Sequence, residues 1–283
     1  MKKYYKYSTR IILVIILILT TSVIVNAQEA EEKPGPGQTI LNDFGKVGRD
    51  LLHVFGNIKD FDSQDALIYT GVIAGSAACM PFDEDFRDFM LNNRSSAADK
   101  YFDFHNELGS LQGMGIIVGS TYLTGLVFDS DKLRGTGRLM FEALLLSGIY
   151  THTLKITFGR SRPYNEEGAC SYKWFETKNM YYSFPSGHST GVFSMATVFA
   201  LRYDKWWSYA VGYSLAAGTA FARPYKDQHW LSDIFAGACI GTLSGIAVVK
   251  ADEYFNNKSK QDQASKSFSF QILPTGINLN YKF

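Results

Sequence analysis

Only three cysteines stand in the 283 residues. Cys79, Cys170 and Cys239 fit no zinc spacing, so a metal site built on them is not expected. In an oxidising compartment they allow one disulfide and leave one thiol over. Cys239, among Ala and Gly in an apolar stretch, is expected to be buried. A surplus of charge is missing too. Lys and Arg number 28 against 27 Asp and Glu, for a net charge of +1. No basic stripe runs along the chain, which argues against a nucleic-acid binder. Any attraction for an anion must therefore be local. Repeats of fixed period and long low-complexity tracts are absent. Mean hydropathy is −0.08, low for a chain that crosses a membrane many times.

The length allows one large domain or two small ones, with ample apolar content for a core. Lys2, Lys3 and Arg10 precede an uncharged run, Ile11–Val25, and Val25-Asn26-Ala27 offers small residues for cleavage before Gln28. Residues 1–27 therefore read as a secretory signal peptide, with an uncleaved anchor as the alternative. Residues 28–38, with Pro34-Gly35-Pro36-Gly37, are expected to be an exposed linker.

From Thr39 to about residue 258 the pattern is helical. Ile40, Phe44, Val47 and Leu51 predict one face of an amphipathic helix. Further helices are expected near Gln64–Met80, Leu108–Phe128, Gly137–Phe158, Ser189–Tyr203, Lys205–Phe221 and Trp230–Phe255, which makes an all-α bundle. Leu108–Phe128 carries no charge over 21 residues but is diluted by Gly, Ser and Thr. These features favour an exported, periplasmic bundle, soluble or membrane-associated, with an integral inner-membrane protein as the alternative. Gly237, Gly241 and Gly245 recur at steps of four and predict close helix approach. Residues 259–283 are expected to form a polar linker and a short C-terminal β-hairpin, since Phe268, Phe270 and Ile272 alternate with polar residues, as do Ile277, Leu279, Tyr281 and Phe283.

The chemistry-bearing residues fall in three blocks. Lys155 is followed after six residues by Arg162-Pro163. Pro185-Ser186-Gly187-His188 is a turn opening a helix, whose backbone N–H groups suit an anion. Arg223 is followed by His229 and then Asp233, a pair four apart and expected on one helix face. A carboxylate there sets the imidazole tautomer and leaves the other ring nitrogen free to attack. Alone, the pair would suit a solvated surface contact; with three cations and an anion-binding turn it suits a phosphate site. Arg160 is expected to be a surface charge or one step removed from the site. Asp83, Glu84, Asp85 and Asp88 are expected in a solvated loop, with cation binding as the alternative. His53, His105 and His152 lack matching partners. Aromatics from Tyr164 to Tyr182 either line a pocket mouth or pin a long loop.

These blocks, over Lys155–Asp233, resemble the signature of the type 2 phosphatidic acid phosphatase superfamily, which also holds bacterial class A acid phosphatases and vanadium haloperoxidases. Ala222 departs from the Ser usual before the third-block Arg, which removes one hydroxyl and no charge. The resemblance implies a helical bundle of that kind and an exported hydrolase of phosphate monoesters or diphosphates, acting on phosphorylated lipids or small molecules. It implies His229 as nucleophile forming a phosphohistidine, His188 as acid and base, and Asp233 behind His229. Lys155, Arg162, Ser186, Gly187 and Arg223 would bind the phosphate, with no metal and no cofactor. The alternatives are a vanadium-dependent haloperoxidase and a non-catalytic binding protein on the same fold.

Overall fold

The computed structural model describes residues 34–57, 62–273 and 276–281. The expected signal peptide and most of the expected linker lie outside them. Among the described residues, nine α-helices follow one another: α1 Pro36–Gly56, α2 Ser63–Cys79, α3 Asp83–Asn92, α4 Ser96–Leu108, α5 Leu111–Val127, α6 Asp131–Phe158, α7 Gly187–Tyr203, α8 Trp206–Tyr225 and α9 Leu231–Ser267. The fold is an all-α bundle. The backbone of Phe268–Leu273 then pairs antiparallel with Gly276–Tyr281, Phe268 opposite Tyr281. Pro274 and Thr275 lie outside the described residues.

Helices α6, α7 and α9 form the centre. Leu139, Ala143 and Leu146 of α6 meet Val192, Met195 and Val198 of α7 and Val248 and Val249 of α9. The glycine steps on α9 do what their spacing predicts. A Cβ at Gly237 would stand 2.7 Å from the Ser186 carbonyl oxygen, and one at Gly241 2.2 Å from that of Thr190. Side chains there would push α9 off α7, and the Ser186 turn would lose its support.

Several expectations are corrected. The helix α1 begins at Pro36, inside the expected linker; Pro suits that first turn, where its missing N–H costs nothing. It buries the expected apolar face only in part: Ile40, Val47 and Leu51 are half-buried, and Leu51 packs against the core. Phe44 is 64% exposed, whereas Thr39, Asp43 and Asp50 are buried. Ion pairing chose the face: Asp43 accepts from Tyr122 Oη at 3.0 Å and Arg134 Nε at 2.9 Å, and Asp50 accepts from Arg138 at 2.9 Å. The acidic cluster is no loop. Asp83, Glu84 and Asp85 form the first turn of α3, where negative charge is favoured by the exposed N–H groups. Helix α4 was not anticipated; its start is capped by Ser95, whose hydroxyl accepts from Ala98 N. The helix α9 continues through the polar Asn256–Lys266 stretch to Ser267. All three cysteines are free, and Cys239 is half-buried.

Candidate active site

Three chain segments bring the motif residues to one end of the bundle. Lys155 lies in the last turn of α6, which ends at Gly159 in the left-handed region, φ 54°. A Cβ at Gly159 would fall 1.7 Å from the Lys173 carbonyl oxygen, so only glycine permits the turn into the loop that follows. That loop carries Arg162 and returns the chain to Pro185, whose peptide bond with Phe184 is cis. Ser186 then caps α7: its hydroxyl oxygen accepts from Ser189 N at 3.4 Å and Ser189 Oγ at 3.0 Å. Gly187 is the first helical residue and His188 the second, so their N–H groups have no partner within the helix. The backbone N–H of Ser186 donates instead to Asp233 O at 3.0 Å, tying the second block to the third. The Ser186 side chain is fully buried and has only its hydroxyl hydrogen left to offer an anion.

The cations share a property that decides what the site can hold. Lys155 Nζ donates to the Tyr182 carbonyl at 2.5 Å. Arg162 donates to Asn179 O at 2.9 Å, Gln228 Oε1 at 2.9 Å and Asn179 Oδ1 at 3.2 Å. Arg223 donates to Asn106 Oδ1, and its Nε is buried without a partner. Every acceptor is a neutral amide or carbonyl. Among the described residues none of the three forms an ion pair. All three lie close enough to His188 and His229 for their charges to act on both rings. Buried cations without counter-charge are costly, and an anion bound among them would remove that cost.

His229 is 2% exposed and stands in the loop before α9, not on a helix as its spacing predicts. Asp233 is in the first turn of α9, where its Oδ2 accepts from Trp230 N at 2.9 Å and Ser183 Oγ at 2.5 Å. It therefore caps the helix start, and His229 approaches from beyond that start. The His229 Nδ1 to Asp233 Oδ2 distance is 3.6 Å, and Nδ1 has no hydrogen-bond partner. That is within charge–charge reach and beyond hydrogen-bond length. Burial pushes the imidazole well below its ordinary range; the three cations push the same way and Asp233 opposes them. Burial likewise lowers the Arg162 guanidinium from its usual value. The ring is thus neutral, with a lone pair available.

The structure also recruits residues that spacing did not reveal. Helices α3 and α4 fold over the third block: Arg87 donates to both oxygens of Asp227 at 2.6 and 2.8 Å, Arg94 donates to Tyr225 O at 2.7 Å, and the Tyr225 hydroxyl donates to Asp99 at 2.7 Å. Asn106 and Gln228, which touch Arg223 and Arg162, carry no motif signal. Arg160, expected as a surface charge or one step removed from the site, is the latter: it is 1% exposed and donates to Asp233. In the aromatic loop the roles divide. Tyr181 is buried and its hydroxyl donates to Glu167 Oε1 at 2.9 Å, while Trp174 and Phe175 are exposed. His152, by contrast, makes only an edge contact with Tyr182.

With this geometry in hand, comparison with known proteins is informative. Residues 137–257 match the PAP2 superfamily. The chain is 27% identical over 179 residues to a lipid A 1-phosphatase of Porphyromonas gingivalis, covering 62% of this chain and 36% of that protein. It is 25% identical over 155 residues to an undecaprenyl-diphosphatase of Sulfolobus acidocaldarius, covering 52% of this chain and 74% of that protein. The chain thus spans little more than a third of the length of the first relative. A transmembrane PAP2-type phosphatidylglycerolphosphate phosphatase from Bacillus subtilis shares the fold, with a TM-score of 0.53 at 20% identity, covering 67% of this chain and 96% of that one. The matched segment runs from the core of α6 through all three motif blocks into α9, so the part of the chain that carries the site is similar to the PAP2 superfamily.

Proposed function

We propose that the protein is a metal-independent phosphatase that hydrolyses a phosphate monoester or diphosphate on a membrane lipid, through a phosphohistidine at His229. The observation that carries this is the set of three cations, Arg162 and Arg223 buried and Lys155 half-buried, each with only neutral hydrogen-bond partners, around two histidines. A phosphoryl group supplies the missing negative charge. Lys155, Arg162 and Arg223, with the Ser186 hydroxyl and the Gly187 N–H, would hold its non-bridging oxygens and offset charge that grows in the transition state. His229 Nε2 attacks phosphorus; the P–N bond forms as the bond to the leaving oxygen breaks. His188 gives a proton to that oxygen, then takes one from the water that cleaves the P–N bond. Asp233 stabilises the positive charge on the His229 ring between the two steps.

The lipid assignment rests on the outside of the bundle and on what adjoins His188. Ser63–Asn92 and Leu231–Asp262 are long and apolar enough to cross a membrane, with mean hydropathy 1.3 and 1.8. Leu67, Ile73, Leu123, Val127 and Val211 are exposed on helices α2, α5 and α8. Large apolar side chains exposed on several helices suit contact with lipid or a partner. Large aromatics stand exposed at both ends: Trp174 and Phe175 beside the site, Trp206 and Phe128 at the other end. These faces favour the integral protein over the released bundle. A cavity of about 120 Å³ lined by Leu108, Val192, Leu215 and Thr219 lies between α5, α7 and α8. Its Thr219 end is beside the catalytic ring, since a Cβ at Gly109 would lie 2.4 Å from Thr219 Cγ2 and 2.9 Å from His188 Cδ2. An apolar chain lying there would place its phosphate among the cations.

The test uses the full chain in detergent with a soluble aryl phosphate, a lipid A, an undecaprenyl diphosphate and a phosphatidylglycerol phosphate. Turnover of a lipid well above the aryl ester, with EDTA without effect and an acid-labile, base-stable phosphoenzyme in rapid quench, is expected. Turnover of the aryl ester alone would remove the lipid assignment. Turnover without a trapped phosphoenzyme would remove the histidine pathway.

A further inference from the structure

Behind His229 stands a buried clamp on its carboxylate. Arg160 Nη1 donates to Asp233 Oδ1 at 2.6 Å and to Ser232 Oγ at 2.7 Å. Its Nη2 donates to Asp83 Oδ2 at 2.7 Å, and Nη2 and Nε together donate to the Ala169 carbonyl at 2.7 and 2.9 Å. Asp83, fully buried at the start of α3, accepts from Ser232 N at 2.8 Å and Ser232 Oγ at 2.7 Å. The Arg160 guanidinium lies over the rings of Tyr172 and Trp230, 5.6 and 5.7 Å from their centroids. Three segments far apart in sequence thus converge on one peptide, Ser232–Asp233.

The geometry constrains a single torsion. One oxygen of Asp233 faces Arg160; the other faces Ser183, Trp230 N and His229. With both oxygens bonded in opposite directions, the carboxylate cannot turn. We infer that Asp83 and Arg160 are positioning residues for the proposed phosphoryl transfer: they hold Asp233 so that Oδ2 closes on His229 Nδ1 as positive charge develops on the ring. The resting gap of 3.6 Å is the kind that tightens only once that charge appears. Neither residue touches substrate. The inference rests on the histidine pathway proposed above.

The experiment compares the wild type with Asp83→Asn, Arg160→Gln and the double variant, each as the full chain in detergent. The double variant removes one charge of each sign, so the cluster keeps its net charge; Asp233 loses Arg160 but keeps its hydrogen bonds from Ser183 Oγ and Trp230 N. Loss of orientation predicts that kcat falls on the order of 10²-fold in Arg160→Gln and in the double variant, with KM unchanged. Rapid quench should show slower formation of the phosphoenzyme, while the double variant unfolds near the wild-type temperature. A double variant with wild-type kcat would overturn the inference and leave the pair a structural ion pair; so would a rise in KM at constant kcat. If Arg160→Gln alone fails to fold, the charge-balanced variant still decides. A wild type that forms no phosphoenzyme would sink the histidine pathway and this inference together, an outcome distinct from failure of the clamp alone.

Discussion

The two ends of α6 use arginine in opposite ways. Near its start, Arg138 is buried among three carboxylates: Asp50 at 2.9 Å, Glu142 at 2.5 Å and Asp252 at 2.5 Å. Near and beyond its end, Arg162 and Arg223 are buried and Lys155 is half-buried, with amides and carbonyls as their only hydrogen-bond partners. The first arrangement satisfies its charge within the chain and ties α1, α6 and α9 together. The second leaves positive charge unmatched around two histidines. Sequence hydropathy scores the two alike, as charges interrupting apolar helices. Only the partners tell a structural cation from one that waits for an anion. Arg160 belongs with the first group although it sits at the second end, because both its carboxylates come from the chain.

The comparison can be broken at each end, and the effects should differ in kind. The largest is expected at His229→Ala: turnover should fall by about 10⁴-fold or more, as when a nucleophile is removed. No phosphoenzyme should be trapped by rapid quench, while the unfolding temperature stays at or above that of the wild type, since a buried unpartnered nitrogen is gone. Activity retained in this variant would end the nucleophile assignment.

Next come the unmatched cations. Arg223→Gln and Arg162→Gln should each lower kcat by about 10²- to 10³-fold, as loss of one charge-stabilising donor does. Vanadate inhibition should weaken in parallel, because its five-coordinate form resembles the transition state. Stability should change little or rise. If either variant unfolds the protein while its folded fraction turns over normally, the cation is structural after all.

The opposite end should respond the other way. Arg138→Met leaves buried Glu142 without a cation and Asp50 and Asp252 with Arg49 alone, at an expected cost of about 3–5 kcal/mol, while kcat per folded molecule is unchanged. Chemical denaturation paired with active-site titration separates the two quantities. A fall in kcat at full folding would mean the two ends are coupled.

The smallest effect concerns pH. His229 in the fold is held well below its ordinary value, while in the unfolded chain it titrates near 6.5. The unfolded state therefore binds a proton that the folded state refuses. The contribution is fully present above about pH 6.5 and is lost progressively as pH falls below it. Unfolding temperature followed from pH 7.5 to 5 should drop in the wild type and drop less in His229→Gln. Equal slopes would show that burial of His229 does not govern the acid limb.

The motif positions and helix periodicity could be seen in the chain because they are local. Seven polar residues at set spacings mark the site, and the glycine steps on α9 mark its packing face, since a missing Cβ acts at the position where it is missing. What could not be seen is whatever depends on partners brought from afar. Asp83 looks like one of four solvated acids until α3 is folded against Ser232; Asn106 looks like any helical polar residue until α4 lies across Arg223. The Ile40–Leu51 stripe marked a half-buried flank of α1, and the most buried face is turned toward Thr39, Asp43 and Asp50. An apolar stripe tells which face leaves water but not whether it meets protein or lipid, and the ion pairs of Asp43 and Asp50 chose the other. By itself the sequence determined the resemblance to the PAP2 superfamily, most helices of the core and the residue types of the proposed phosphate site. The tertiary structure alone decided which cations lack a counter-charge, how Asp233 is held and which surfaces remain apolar. Charge balance and burial are sums over neighbours, and neighbours exist only once the chain has folded.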